Sequence, residues 1–300
     1  MPIQIKTIKK RIQSVKNIGK ITRAMEMVSS YKMKHAINQA LATRAYIKIA
    51  LELLVNINRE REASHPLLEQ REVKKILAIV FASNKGLCGS YNSNVFKKVD
   101  EFVKTHSSAE IDFITIGKKV EKKIKQNYGK YIASFTDISE KPLIEEIFPC
   151  SRLAVDGFIN KTYDQVNIIY TDFVSSIKYE VLARKLLPVS EKVLYELINR
   201  IGRNEDEEII ENKNLANCLF EPDANSVLDE ILPHLADIQL YHSLLESNAS
   251  EHSSRMITMK SASENASDVI DDLSFSFNKA RQASITQEIL EISSGAIASK

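Results

Sequence analysis

Residues 3–30 read IQIKTIKKRIQSVKNIGKITRAMEMVSS, and the spacing of their apolar side chains decides the fold. Ile5, Ile8, Ile12 and Val15 are spaced 3-4-3, and Ile18, Ile21, Met25 and Val28 repeat that spacing after a three-residue step. This is the pattern of a coiled-coil seam with one stammer. From Ile3 to about Asn58 there is no proline and one glycine, Gly19, so nothing stops a helix over that length. At about 1.5 Å per residue such a helix is roughly 80 Å long, too long for one small domain to cover. It needs a partner helix.

The partner lies at the other end. After Glu221-Pro222-Asp223, where Asp223 or Ser226 could cap, helical sequence runs from about Ser226 to Ile297. Its internal proline, Pro233, is expected to kink the first turns. Ala266, Ile270, Leu273, Phe277 and Ala280 keep a 4-3-4-3 spacing, a second heptad seam. Between Ser247 and Ser267 most residues are Ser, Ala, Asn or Glu, small enough to let two helix backbones come close. An antiparallel hairpin follows. The charges agree: Met1 to Leu51 carries eleven Lys or Arg against Glu26 alone, whereas Ala224 to the end carries eleven Asp or Glu against five Lys or Arg.

The middle reads differently. Ile76-Leu77-Ala78-Ile79-Val80-Phe81-Ala82 is continuously apolar, as in a strand buried on both faces. Ile111–Ile116, Val166–Tyr170 and Tyr179–Leu187 are further strand candidates. Helical patterns at Asn92–Lys104, Lys118–Tyr128 and Leu143–Asn160 separate them, which predicts a mainly parallel sheet. Ser190–Cys218, acidic around Asn204 to Glu211, reads as loop or strand edge. The expected architecture is α+β/α/β: residues 1–67 an N-terminal coiled-coil helix, 68–215 an inserted Rossmann-like α/β foot domain, and 216–300 a C-terminal coiled-coil helix.

Composition removes several classes of function. Three cysteines, Cys88, Cys150 and Cys218, are far apart and in no C-x-x-C spacing, which indicates neither a disulfide framework nor a zinc site and fits a reducing compartment. No secretory signal and no window near the roughly 20 apolar residues of a membrane span is visible. The six histidines include no H-x-x-x-H pair, so no metal site is expected.

Each candidate for chemistry has a plainer reading. The turn Ser83-Asn84-Lys85-Gly86-Leu87-Cys88-Gly89-Ser90 resembles a phosphate-binding loop, yet lacks both G-K-[ST] and G-x-G-x-x-G at the required spacing. A structural turn is the simpler account. Cys88 could be a nucleophile only if His106 came near it, and otherwise is a buried or turn thiol. The basic first helix has the charge density of a nucleic-acid binder but no accompanying finger, helix-turn-helix or aromatic platform. At the far end Ile285, Ile289, Ile292 and Ala296 form one apolar stripe. It is either a partner surface or packing onto the first helix.

Several segments together resemble the gamma subunit of F-type ATP synthases. They are Ile18-Gly19-Lys20-Ile21-Thr22-Arg23-Ala24-Met25-Glu26-Met27-Val28, Gly86-Leu87-Cys88-Gly89 with Asn92, Ala249-Ser250-Glu251-His252 with Arg255-Met256, and above all Asn278-Lys279-Ala280-Arg281-Gln282-Ala283-Ser284-Ile285-Thr286-Gln287-Glu288. The likeness runs the whole chain in order. It departs at Lys85, where arginine is common, at Ser90-Tyr91, where Gly-Leu is common, and in the acidity of Asn204–Asn212.

The resemblance implies a rotor with no catalytic residue, cofactor or metal. Three alpha and three beta subunits would surround it, and an epsilon subunit and the membrane c ring would hold its foot. It would touch no nucleic acid and no membrane except through that ring. Beta-subunit contact would fall to Lys20, Arg23, Met25, Arg255, Arg281, Gln282, Thr286 and Glu291, the bearing tip to Ile285, Ile289 and Ile292, and c-ring contact to Phe220 and Glu221. With no transit peptide or chloroplast-type regulatory cysteine pair evident, the expected location is the cytoplasmic face of a bacterial plasma membrane. The competing reading is a nucleotide-binding α/β enzyme with a helical dimerisation arm.

Overall fold

The first strand, β1 (Lys75–Phe81), is buried from Ile76 onward, and its alternate side chains serve two different cores. Leu77, Ile79 and Phe81 face one layer and Ile76, Ala78 and Val80 the other, which is why the run is apolar without alternation. The computed structural model from which this follows describes residues 2–59, 65–129, 131–189 and 224–298. They divide into two compact units, Met1–Ser30 with Arg255–Lys300, and Tyr31–Ser254.

The second unit holds the sheet. β1 pairs in parallel with β2 (Glu110–Ile116) and β4 (Gln165–Phe173), β2 with β3 (Ala133–Phe135), and β4 pairs antiparallel with β5 (Tyr179–Leu187). The order is β3-β2-β1-β4-β5. The short edge strand β3 is absent from the sequence expectation, because three half-exposed residues show no alternation to read. Helices α2 (Tyr91–Thr105) and α3 (Lys118–Asn127) cover one face through Val95, Val99, Phe102, Val120 and Ile124. The other face receives α4 (Phe148–Ile159), through Cys150, Ala154 and Phe158, and the last helix, α5 (Ala224–Ala298), through Leu228, Leu232, Leu235, Leu240 and Leu244.

The helix expected from Leu143 starts later. Pro149 lies in the first turn of α4, where its fixed φ and missing N–H are tolerated, and residues 144–146 form a separate 3-10 turn. Glu146 holds that turn by accepting from the Leu143 N–H at 3.0 Å and the Ser139 N–H at 2.7 Å. Pro233 lies inside α5 without ending it. Gly117, between β2 and α3, has φ 104°, and a Cβ there would stand 2.1 Å from the Ala82 carbonyl oxygen, so only glycine fits.

The first unit pairs the start of α1 (Pro2–Arg59) with the far half of α5. Here the seam differs from the expected one. Ile5, Ile8, Ile12 and Val15 are half-buried as expected, but burial then continues through Gly19, Thr22, Glu26 and Ser29, an unbroken heptad with no stammer. The physical reason is close approach. The Cβ that Gly19 lacks would lie 3.5 Å from the Ala266 Cβ, so small or polar residues occupy the seam and the larger apolar Ile18, Ile21 and Val28 turn outward. Placing Gly19 against Ala266 in antiparallel register puts Pro2 opposite Ala283, and burial along α5 ends at Ser284. In the second unit α1 and α5 also meet, Thr43 Oγ1 standing 2.8 Å from His242 Nδ1.

Candidate functional site

In an open α/β sheet the ligand crevice lies beyond the carboxyl ends of the strands where the winding reverses. In the second unit that point falls between β1 and β4, beside the turn Ser83–Ser90. The turn is folded on its own side chains: Ser83 Oγ donates to the Lys85 carbonyl at 2.6 Å, the Ser83 N–H to Asn92 Oδ1 at 3.2 Å, and Asn92 Nδ2 to Cys88 Sγ at 3.2 Å. Leu87 and Gly89 complete it with φ of 62° and 53°.

The crevice itself is taken by α5. Ser254 Oγ donates to the Cys88 carbonyl at 2.6 Å, and the Thr171 N–H, at the end of β4, donates to Ser247 Oγ at 3.3 Å. Where a nucleotide would enter, the chain's own helix stands. The turn is therefore structural, and the reading as a nucleotide-binding enzyme loses its site.

Among the described residues no thiol chemistry is assembled either. Cys88 is buried at the head of α2, whereas His106 packs on Phe102 at its other end with ring centroids 4.3 Å apart. A helix of that length separates them by about 20 Å. Cys150 is wholly buried, and burial pushes its thiol up to about 12, which leaves it inert. Among the described residues no three His, Cys, Asp or Glu side chains gather where a metal ion could be held.

Exposed apolar side chains line up along the helices of the first unit. Ile18, Ile21 and Val28 point outward, the first two 53% and 59% exposed. With half-buried Met25 they form a second apolar stripe along α1, beside exposed Lys20 and Arg23. On α5 every residue from Ile285 to Ser294 is exposed, Ile292 at 73%, and Ile285, Ile289 and Ile292 share one helix face. Arg281, Gln282, Thr286 and Glu291 are also exposed there. Thr286 Oγ1 donates to the Gln282 carbonyl at 3.0 Å, and Gln287 Nε2 to Glu291 Oε1 at 2.9 Å.

Not all the expected site residues gather on these surfaces. Arg255 is 7% exposed and, at about 1.5 Å per residue, lies roughly 39 Å along α5 from Arg281. Phe220 and Glu221 lie outside the described residues. The outward stripe Ile18, Ile21, Val28 was misassigned by spacing alone, since two 3-4 series overlap on α1 and only the small partner face of α5 selects between them.

Exposed apolar and basic helix faces in one unit, and in the other a switch-point crevice closed by its own helix, are the marks of a protein suited to binding partners. A family profile described as ATP synthase matches residues 4–298. The ATP synthase gamma chain of Trichlorobacter lovleyi is 35% identical over 295 residues, 97% of each chain, and that of Gloeothece citriformis is 37% identical over 308 residues, 97% of this chain and 98% of the other. Among solved structures, a chain of the Euglena gracilis mitochondrial ATP synthase OSCP/F1/c-ring assembly superposes with a TM-score of 0.65 at 16% identity, covering 99% of this chain and 95% of that one. The chain belongs to the ATP synthase gamma chain family.

Proposed function

We propose that this chain is the central rotor stalk of an F1Fo ATP synthase, a subunit without a catalytic site that couples ion translocation through a membrane c ring to ATP synthesis or hydrolysis at the beta subunits. The observation that carries this is the match to gamma chains at 35% identity over 97% of both lengths. The uncovered stripes of the first unit support it, because large apolar surface left in water marks a binding face.

The mechanism is mechanical. A single asymmetric shaft inside a ring of three alpha and three beta subunits presents a different face to each catalytic site as it turns. Beta loops would meet Lys20, Arg23, Met25, Arg281, Gln282, Thr286 and Glu291, but not Arg255, which is buried. Acidic loops are attracted by Lys20 and Arg23, and salt screening keeps each such contact weak and replaceable. Ile285, Ile289 and Ile292 serve as the bearing tip. An apolar bearing has no pairwise ion contact to trap it in one orientation.

The foot domain, residues 68–215, stands on the c ring with an epsilon subunit, Phe220 and Glu221 touching the ring, and residues 1–67 and 216–300 form the shaft. No described helix is long and apolar enough to cross a membrane. In this reading attachment runs through the ring, at the cytoplasmic face of a bacterial plasma membrane. Coexpression with matching alpha and beta subunits should yield an assembled ATPase. Active complex forming equally well without this chain would contradict the proposal.

A further inference from the structure

Four serines on α5 are buried in the second unit and point at three different segments of the α/β body. The Thr171 N–H donates to Ser247 Oγ at 3.3 Å, and Ser250 Oγ donates to the Thr171 carbonyl at 3.4 Å. Ser253 Oγ donates to the carbonyl of Ser176, in the loop between β4 and β5, at 2.5 Å, and Ser254 Oγ donates to the Cys88 carbonyl at 2.6 Å. Tyr179 Oη adds a bridge, 3.4 Å from Ser254 Oγ and 3.1 Å from Ser90 Oγ.

The sheet explains why the polar row is needed. β1 pairs with β4 only from Gln165 to Ile169, so beyond that point the edge of β4 that faced β1 is open, and Ser247 and Ser250 meet Thr171 there in place of a strand. A buried backbone group must find a partner, and the helix supplies it. Lower on α5, Leu232, Leu235, Leu240 and Leu244 pack into the core and set which face of the helix turns inward, but apolar contact is non-directional and tolerates small rotations of the helix within that face. Hydrogen bonds do not, because they weaken steeply away from their preferred distance and angle. Rotation of α5 about its axis would break bonds to three segments at once.

We propose that Ser247, Ser250, Ser253 and Ser254 are positioning residues for the rotary reaction: they form the joint that locks the rotational register of the α/β body on α5, so that torque applied to the body is carried up the helix rather than lost as slip. The inference rests on the rotor reading above. It adds that the filled switch-point crevice, where related sheets bind a ligand, serves here as a mechanical coupling.

The test uses the whole ATP synthase, reconstituted in ion-tight vesicles, and reads the ratio of ATP-driven ion pumping to ATP hydrolysis. Alanine at all four positions keeps a strong helix former and, at Cys88, leaves the carbonyl bonded by the Tyr91 N–H at 3.1 Å. The control is Ser243→Ala, since among the described residues buried Ser243 donates only to the Gln239 carbonyl of its own helix, at 2.8 Å.

The joint predicts hydrolysis near the wild-type rate with the pumping ratio lowered roughly tenfold, the factor produced by losing one or two net hydrogen bonds, and no change in the control. If the quadruple variant does not assemble, the Ser250→Ala, Ser254→Ala pair must lower the ratio in the same direction. A ratio equal to that of the control, in whichever variant assembles, overturns the joint. Failure of the wild-type chain to support coupled pumping would instead overturn the rotor reading.

Discussion

At Gly19 the two helices of the first unit come close enough to decide which side chains can face inward. An alanine there would place its Cβ 3.5 Å from that of Ala266, an ordinary contact, and should stabilise the helix by about 0.5–1 kcal/mol. Gly19→Leu has no such room and should cost about 1–3 kcal/mol through overpacking. Thermal unfolding of the two variants checks the opposite signs. Glu140, in the second unit, is the other informative residue. Hydrogen bonds from Lys32 first and Lys85 second hold its carboxyl at about 2, against an ordinary 4.5. A depressed carboxylate stabilises fully above pH 4.5 and loses that contribution as pH falls towards 2. The carboxylate is half-exposed, so screening limits the effect to about 1 kcal/mol or less. Glu140→Gln should flatten that part of the stability profile, lowering stability at neutral pH by about 1 kcal/mol or less and leaving it unchanged near pH 2.

At the scale of elements, the long helices were legible because α1 has no proline past its first turn and α5 only Pro233 near its start, and β1 because a strand buried on both faces cannot alternate. The seam of α1 was legible only as far as Val15. Past that point Ile18, Ile21, Met25 and Val28 outweigh Gly19, Thr22, Glu26 and Ser29 in hydrophobicity, and reading the stronger series as the core inverted inside and outside. Seam positions occupied by small residues are invisible to a count of apolar ones, because the closeness that selects them belongs to the partner. The serines of α5 were read as aids to helix approach for the same reason, while their role at the end of β4 depends on where the sheet stops pairing. The stripe beyond Ser284 was legible as an alternative between packing and a partner, and the antiparallel register leaves it uncovered. Truncation before Ile285 should therefore weaken assembly or coupling with alpha and beta subunits yet shift the unfolding of the α/β body by less than about 0.5 kcal/mol, as for surface changes generally. Loss of the body's fold would make the tip ordinary packing.

At the scale of the whole molecule, the division of labour follows from where apolar surface is satisfied. The body buries its apolar strands between two helical layers and closes its crevice with its own helix, so it keeps no pocket for chemistry at the switch point. The paired helices of the first unit satisfy a narrow seam and leave two further stripes in water, which a partner must cover. Such a chain contributes shape and stiffness to a reaction performed elsewhere, as a rotor requires. The most direct measurement fixes alpha and beta subunits to a surface, attaches a bead to the α/β body of this chain, and follows its angle on addition of ATP. Sustained ATP-dependent rotation in one direction is the predicted result, and a stationary bead on a complex that hydrolyses ATP at its full rate would contradict the account.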